Sequence, residues 1–182
     1  ENFESDISNT FLPTIQSTYT FPLVKETEKF DNTLTPKLSF KLSPDFTRDI
    51  RNRNEGRIDY FNIYDIDRLG IEEANEGGIS ATYGYEYTKL DKSIFAQKMK
   101  FGFANNLRLS ENKDLPFHTN LGDKVSDFVG IFEYSSKDKF KLDYNFSLKD
   151  NLIEKNYELF GFELYLKNLT STFEYRNENN SK

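Results

Sequence analysis

The sequence predicts an all-β fold, an antiparallel up-and-down meander of about eight long strands that forms part of a transmembrane β-barrel. Three observations predict it. Apolar and polar residues alternate over long runs, aromatic residues reach 16% in a chain with 30% charged residues, and short connections alternate with longer ones. Narrow aromatic stripes in a polar chain are typical of strands.

The alternation locates the strands in order. Residues 139–149 are the clearest case, because Phe140, Leu142 and Tyr144 share one face while Lys141 and Asp143 share the other. The remaining strands are predicted at residues 12–23, 38–43, 79–88, 98–103, 126–134, 160–167 and 170–176. The strand at 126–134 differs from the others, since its middle is apolar on both faces. No amphipathic helix is predicted.

Short and long connections follow one another along the chain. The long ones span residues 44–77 and 105–125, and a medium one spans residues 150–156. This alternation places all longer connections at one end of the meander, as in transmembrane barrels, which have short turns at one end and long loops at the other. A soluble β-sandwich remains the alternative, because its strands alternate too. Strand length and the aromatic face favour the barrel.

Two prolines fall within or at the start of predicted strands, Pro22 and Pro36. Proline lacks the N–H that a strand donates to its neighbour. We therefore expect both positions to be strand ends, bulges or poorly paired edges.

Composition excludes several functions. The net charge of -6 and pI of about 5.0 argue against a nucleic-acid partner. The absence of cysteine removes disulfides and thiolate chemistry. A Ser/His hydrolase would need the only histidine, His118, as its base, but His118 lies in a polar loop without the required strand context. We expect no enzyme, no catalytic residue, no cofactor and no bound metal.

Three groups of residues follow one another along the chain, the first in a strand that leads into the first long connection and the others mainly in the two long connections. They are Leu34-Thr35-Pro36-Lys37 with Ser43-Pro44; Asn62, Asp67-Arg68-Leu69-Gly70 and Glu76-Gly77-Gly78; and Asp114-Leu115-Pro116, Leu121-Gly122-Asp123-Lys124 and Ser126-Asp127-Phe128-Val129-Gly130. In order and placement they resemble the barrel domain of the LPS-assembly outer-membrane protein family, the β-barrel subunit of the lipopolysaccharide translocon. The matching stretches run from about residue 12 to residue 130.

The resemblance implies a location and partners. It implies the outer membrane of a Gram-negative bacterium and a role in lipopolysaccharide transport, with outer-membrane lipid, a plug lipoprotein and periplasmic bridge proteins as partners. Residues 1–182 would form a partial outer-membrane β-barrel domain, a central fragment, because about eight strands are fewer than the family's large barrel has. The start at Glu1, with Met99 as the only methionine, fits a fragment. The alternative is a small self-contained porin or surface-binding barrel.

Two sets of charged residues are candidate sites. The first long connection carries an acidic stretch that could bind a divalent cation. Nearby arginines favour instead a salt-bridged loop folded over the barrel mouth. The acidic residues are Asp65, Asp67, Glu72, Glu73 and Glu76, and the arginines are Arg48, Arg51, Arg53, Arg57 and Arg68. The second set is predicted to face the hydrated interior: Lys98, Lys100, Lys141 and Lys149, with Glu86, Asp143 and Glu163. Its lysines could meet lipid phosphates, but the carboxylates on the same face favour a general role in hydrating the interior. Gly77-Gly78 is expected to start the following strand.

Overall fold

The computed structural model describes residues 11–53, 56–71, 74–94, 96–137 and 139–178. Within these ranges the chain forms nine strands: β1 Ile15–Thr20, β2 Leu23–Glu26, β3 Phe30–Ser43, β4 Gly78–Asp91, β5 Ala96–Arg108, β6 Phe128–Ser136, β7 Phe140–Leu148, β8 Lys155–Leu166 and β9 Leu169–Glu178. A single 3-10 turn, Phe117–Thr119, is the helical element of the described part. No described helix has the length and apolar character needed to cross a membrane.

All nine strands belong to one antiparallel sheet. The first two strands both pair with β3, and from β3 to β9 every strand pairs with the next one in the chain. The predicted antiparallel meander is therefore confirmed. The sheet is open, because the described strands β1 and β9 do not pair with each other.

The predicted strand at residues 12–23 is wrong as a single element, because the chain breaks there into β1 and β2. The break lies at Phe21 and Pro22, directly opposite Pro36 and Thr35 of β3. The Phe21 N–H donates to the Pro36 carbonyl at 3.0 Å, but Pro36 has no N–H to return the bond. Pro22 is a strand end as expected. Pro36 lies inside a long strand and is tolerated because its missing donor faces this break.

The connections alternate as the sequence predicts. Residues 44–77, 109–127 and 149–154 link strands at one end of the sheet, and residues 27–29, 92–95, 137–139 and 167–168 link them at the other. The second long connection begins at residue 109 rather than 105, because residues 105–108 extend β5. Gly78 opens β4 at a φ of +94°, so the expectation that glycine starts this strand is confirmed.

The apolar face of the sheet is open and its polar face is buried, the reverse of an antiparallel sheet that packs its apolar face on a core. The face that carries the apolar residues of β3 and β4 is open, with Phe40 and Leu42 about half exposed at 50% and 51%. We call this the exposed face. The other face carries Lys41, Ser80 and Thr82, all buried, because connections 44–77 and 109–127 lie against it. We call this the covered face.

The hydrophobic core lies between the covered face and the connections. Connection 44–77 supplies most of its members, connection 109–127 supplies Leu115 and Leu121, and the strands supply Ala104, Val129 and Ile131. The last two explain why the middle of β6 is apolar on both sides: Val129 and Ile131 face the core, while their neighbours face outward. The contributors from connection 44–77 are Ile50, Ile58, Tyr60, Ile63, Leu69 and Ile71.

Candidate functional site

A cluster of four buried charges joins connection 44–77 to the covered face. Glu76 accepts from Arg68 Nη2 at 2.9 Å, from Arg108 Nη1 at 2.7 Å and from Lys41 Nζ at 2.9 Å. Side-chain exposure is 5% or less for all four residues. One carboxylate therefore holds three cations, from β3, from β5 and from the connection itself. We call this group the Glu76 cluster.

Neutral polar side chains complete the cluster. Arg68 also donates to Thr82 Oγ1, to the Asn106 amide oxygen at 2.7 Å and to Ser80 Oγ at 2.9 Å. These partners occupy covered-face positions of β4 and β5, where alternation places small polar residues. The predicted salt-bridged connection is thus confirmed for Arg68 and Glu76.

Two effects oppose each other at Glu76. Burial acts to raise the pKa of its carboxyl, but the charges of Arg68, Lys41 and Arg108 outweigh it and hold that pKa below its ordinary value. Glu76 is therefore ionised at neutral pH, and its charge is part of the folded structure.

Two tyrosines of connection 44–77 enter a slot in the sheet. A Cβ on Gly102 would lie 2.3 Å from Tyr60 Cζ, and a Cβ on Gly84 would lie 2.5 Å from the Tyr64 hydroxyl oxygen. The Tyr60 hydroxyl donates to Glu86 at 3.1 Å. Neighbouring glycines on β4 and β5 thus let the connection approach the sheet closely. We call this the tyrosine slot.

Connection 44–77 spans the sheet from its first strand to its last. At one side the Gln16 side chain of β1 donates to the Tyr64 carbonyl at 2.6 Å. At the other side the Arg57 guanidinium stacks 3.5 Å from the centre of the Tyr157 ring of β8 and lies 3.9 Å from Glu178 of β9. The connection is therefore a cross-brace over the covered face.

The second connection is held by its own buried carboxylate. Asp127 accepts from Asn120 Nδ2 at 2.5 Å, Asn156 Nδ2 at 2.7 Å and Ser147 Oγ at 2.8 Å. Burial raises the pKa of Asp127, and these three hydrogen bonds offset part of the rise. A further ion pair links the two connections, since Arg51 donates to Asp114 at 2.6 Å.

Among the described residues of the acidic stretch, Asp65 and Asp67 form no ion pair within the Glu76 cluster. Asp65 and Asp67 are exposed, and Asp67 accepts from the Gly70 N–H at 3.1 Å. Glu72 and Glu73 lie outside the described residues. Among the residues that the structure describes, no three potential metal ligands are grouped.

The lysines predicted to face the interior have different surroundings. Lys100 lies 3.5 Å from Glu86 on the covered face, as alternation predicts, and Lys141 lies 3.7 Å from Asp143. Lys98 is the extra residue of a bulge between β4 and β5, so its Nζ lies 5.5 Å over the Phe30 ring instead. Lys149 lies just beyond β7 and pairs with Glu154 at 2.8 Å, so its prediction as a strand residue is wrong.

His118 and Glu163 occupy peripheral positions. His118 lies in the 3-10 turn, and its carbonyl accepts from the Asn156 side chain at 2.5 Å. Glu163 accepts from the Tyr165 hydroxyl at 2.6 Å.

A small cleft opens beside the Glu76 cluster. Its volume is about 270 Å³, and Lys41, Arg68, Asp67 and Glu76 line part of it. The lining offers several charged hydrogen-bonding groups of both signs. Lys41, Arg68 and Glu76 already pair with one another there.

Sequence reasoning missed Tyr60, Tyr64 and Asp127 as the residues that hold the connections. The glycines of the slot are the signal that could have found the tyrosines, since Gly84 and Gly102 occupy covered-face positions of adjacent strands. Comparison with known proteins adds no identification: no family model matches the chain, and no curated protein matches it.

Proposed function

We propose that the chain is part of a transmembrane β-barrel in the outer membrane of a Gram-negative bacterium, and that this barrel assembles lipopolysaccharide into the outer leaflet. The observation that carries the membrane placement is the inverted packing of the sheet. The aromatic and aliphatic face is open, whereas the polar face is covered and holds the Glu76 cluster. A barrel in a bilayer has this arrangement, with an apolar outer surface and a polar interior.

The residues that resemble the LPS-assembly family support the proposal, because they meet in the structure. Arg68 and Glu76 form the centre of the charged cluster. Leu115 and Leu121 are buried in the core, and Asp127 holds the second connection. Segments that are distant in sequence therefore share one task, which is to fold the two long connections onto the covered face.

The mechanism follows from the two faces. Saccharides pass along the part of the covered face that the connections leave open, at Glu174 and Arg176 of β9, where charged groups can replace water as hydrogen-bond partners. Acyl chains leave sideways through a weak place in the ladder, and the β1/β2 break opposite Pro36 is such a place. The barrel is not an enzyme. Partners across the periplasm supply the energy, and a plug lipoprotein and periplasmic bridge proteins complete the assembly.

Strand β9 offers a test with an internal control. Glu174 and Arg176 project on the side of the covered face, while Phe173 and Tyr175 project on the exposed face, and all four are exposed. A photo-crosslinking amino acid would be placed at each position in turn, in the chain reconstituted in vesicles that contain lipopolysaccharide. We expect positions 174 and 176 to crosslink to the saccharide, and positions 173 and 175 to acyl chains.

The other outcomes separate the alternatives. Acyl-chain crosslinks at 173 and 175 without saccharide crosslinks at 174 and 176 would favour a porin or surface-binding barrel. Equal, weak crosslinking at all four positions would contradict the membrane placement and favour a soluble sandwich.

A further inference from the structure

The two ends of the sheet carry opposite charge. The three longer connections hold fifteen acidic and eight basic residues, a net charge of -7. The four short connections hold five lysines and two acidic residues, a net charge of +3. Because the short connections all lie at one end, their positive charge is concentrated in one rim of the sheet.

Each short connection carries at least one lysine. They are Lys29, Lys92, Lys137, Lys139 and Lys167, which we call the lysine rim. Lys92 pairs with Asp31 at 2.7 Å. Among the described residues the other four form no ion pair, and all four are exposed. Four exposed lysines that have no ion-pair partner among the described residues are available to an external anion.

Aromatic residues of the exposed face lie directly beside the lysine rim. The Phe30 ring has Lys89 Nζ 4.1 Å and Lys98 Nζ 5.5 Å from its centre. On the other strands Phe140 packs 5.8 Å from Tyr134 and 5.9 Å from Phe162. An apolar band that ends in aromatic rings, followed by lysines, is the order of side chains at a boundary between bilayer and water.

We infer that the lysine rim binds the phosphate groups of anionic phospholipids, at the membrane surface where the exposed apolar face ends. The rim and the headgroups are complementary in charge, and flexible lysine side chains can reach headgroup phosphates while their aliphatic stems stay on apolar surface. The opposite end, with its net charge of -7, would be repelled by the same headgroups. This inference rests on the membrane placement proposed above and adds the lipid partner and the end of the sheet that meets it.

Vesicle flotation of the whole chain tests the rim. Wild-type protein would be compared on phosphatidylcholine vesicles and on vesicles with about 30% phosphatidylglycerol, whose anionic headgroups give the surface a negative potential. The rim variant K29Q/K137Q/K139Q/K167Q removes four charges. The control variant K113Q/K124Q/K149Q/K155Q removes four charges from the other end. We expect the preference for anionic vesicles to fall about tenfold or more in the rim variant and to persist in the control.

Every other outcome is informative. Equal loss in both variants, or no loss in the rim variant, overturns the lipid role of the rim and leaves it as a surface for an acidic protein. Equal binding of wild-type protein to both vesicles overturns the rim alone, and the membrane placement stands. Binding to neither vesicle overturns the membrane placement and the rim together.

Discussion

Glu76 is the residue on which the buried electrostatics depend, because three cations share its carboxylate. Replacing it with glutamine would leave Lys41, Arg68 and Arg108 buried without a counter-charge. Removing one partner from a buried ion pair typically costs about 3–5 kcal/mol, so we expect Glu76→Gln to lower the free energy of unfolding by about that amount in a denaturant titration. The control Glu154→Gln breaks an exposed pair with Lys149 and should change little. Equal effects of both substitutions would contradict the role of the cluster.

The same residue predicts a pH dependence of stability. The folded-state pKa of Glu76 lies below its ordinary value, so its contribution is present above the pKa of the unfolded chain and is lost as pH falls through the folded-state pKa. Wild-type protein should therefore lose stability on acidification below about pH 4.5 more steeply than the Glu76→Gln variant. Parallel pH profiles of the two proteins would show that Glu76 is not the titrating group.

Gly102 provides a second residue-scale prediction. A methyl group there would overlap the Tyr60 ring at 2.3 Å, and overpacking of this kind costs about 1–3 kcal/mol. Gly161→Ala is a matched control on β8, since the atoms nearest to its added Cβ belong to the flexible Asp143 carboxylate. We expect the larger loss of unfolding free energy for Gly102→Ala. Shortening the ring partner in the double variant G102A/Y60L should recover part of it, and additive losses would argue against the slot.

An ion pair within one connection is easier to predict from the sequence than a contact between residues that are distant in the chain. The Arg68–Glu76 pair was predictable as part of a salt-bridged loop, because opposite charges lie close together in one connection. The addition of Lys41 and Arg108 was not, since these residues come from strands that only the sheet register brings together. Asp127 was singled out only as part of a family-like segment, and its contacts were not predictable because its partners are neutral amides and a hydroxyl.

At the scale of elements, the alternation of apolar and polar residues predicted the strands well wherever the two faces of a strand differ in polarity. It failed at points where one residue disturbs the ladder. Pro22 splits the first predicted strand into β1 and β2, and the bulge at Lys98 turns that side chain away from the position its parity predicts. Both deviations arise from main-chain geometry that a two-residue hydropathy pattern does not contain.

Pro36 yields the element-scale prediction. Pro36→Ala restores an N–H opposite the Phe21 carbonyl, and one additional hydrogen bond contributes about 1 kcal/mol. We therefore expect the amide of Phe21 to exchange with solvent about fivefold more slowly, measured by hydrogen–deuterium exchange. Pro13→Ala is the control, because Pro13 precedes β1. Unchanged exchange at Phe21 would mean that Pro36 does not weaken this part of the sheet.

At the scale of the whole molecule, the sheet is inverted relative to a soluble protein. Its core is built by the long connections against a polar face, whereas its aromatic face has no cover among the described residues. The cross-brace can lie against the polar face because Gln16, Arg57 and the Glu76 cluster give it hydrogen bonds and ion pairs at both sides and at the centre of the sheet. The sequence predicted the two faces but not which of them is covered.

The most direct test of the account is the environment of the two faces in a bilayer. The chain contains no cysteine, so single cysteines at positions 140–145 of β7 can each carry one spin label. Accessibility to oxygen, which concentrates in lipid, would be compared with accessibility to a water-soluble nickel complex in reconstituted vesicles. The account predicts a two-residue period, with oxygen favoured at positions 140, 142 and 144 and the nickel complex favoured at 141, 143 and 145. Preferential access of the nickel complex at all six positions would contradict it.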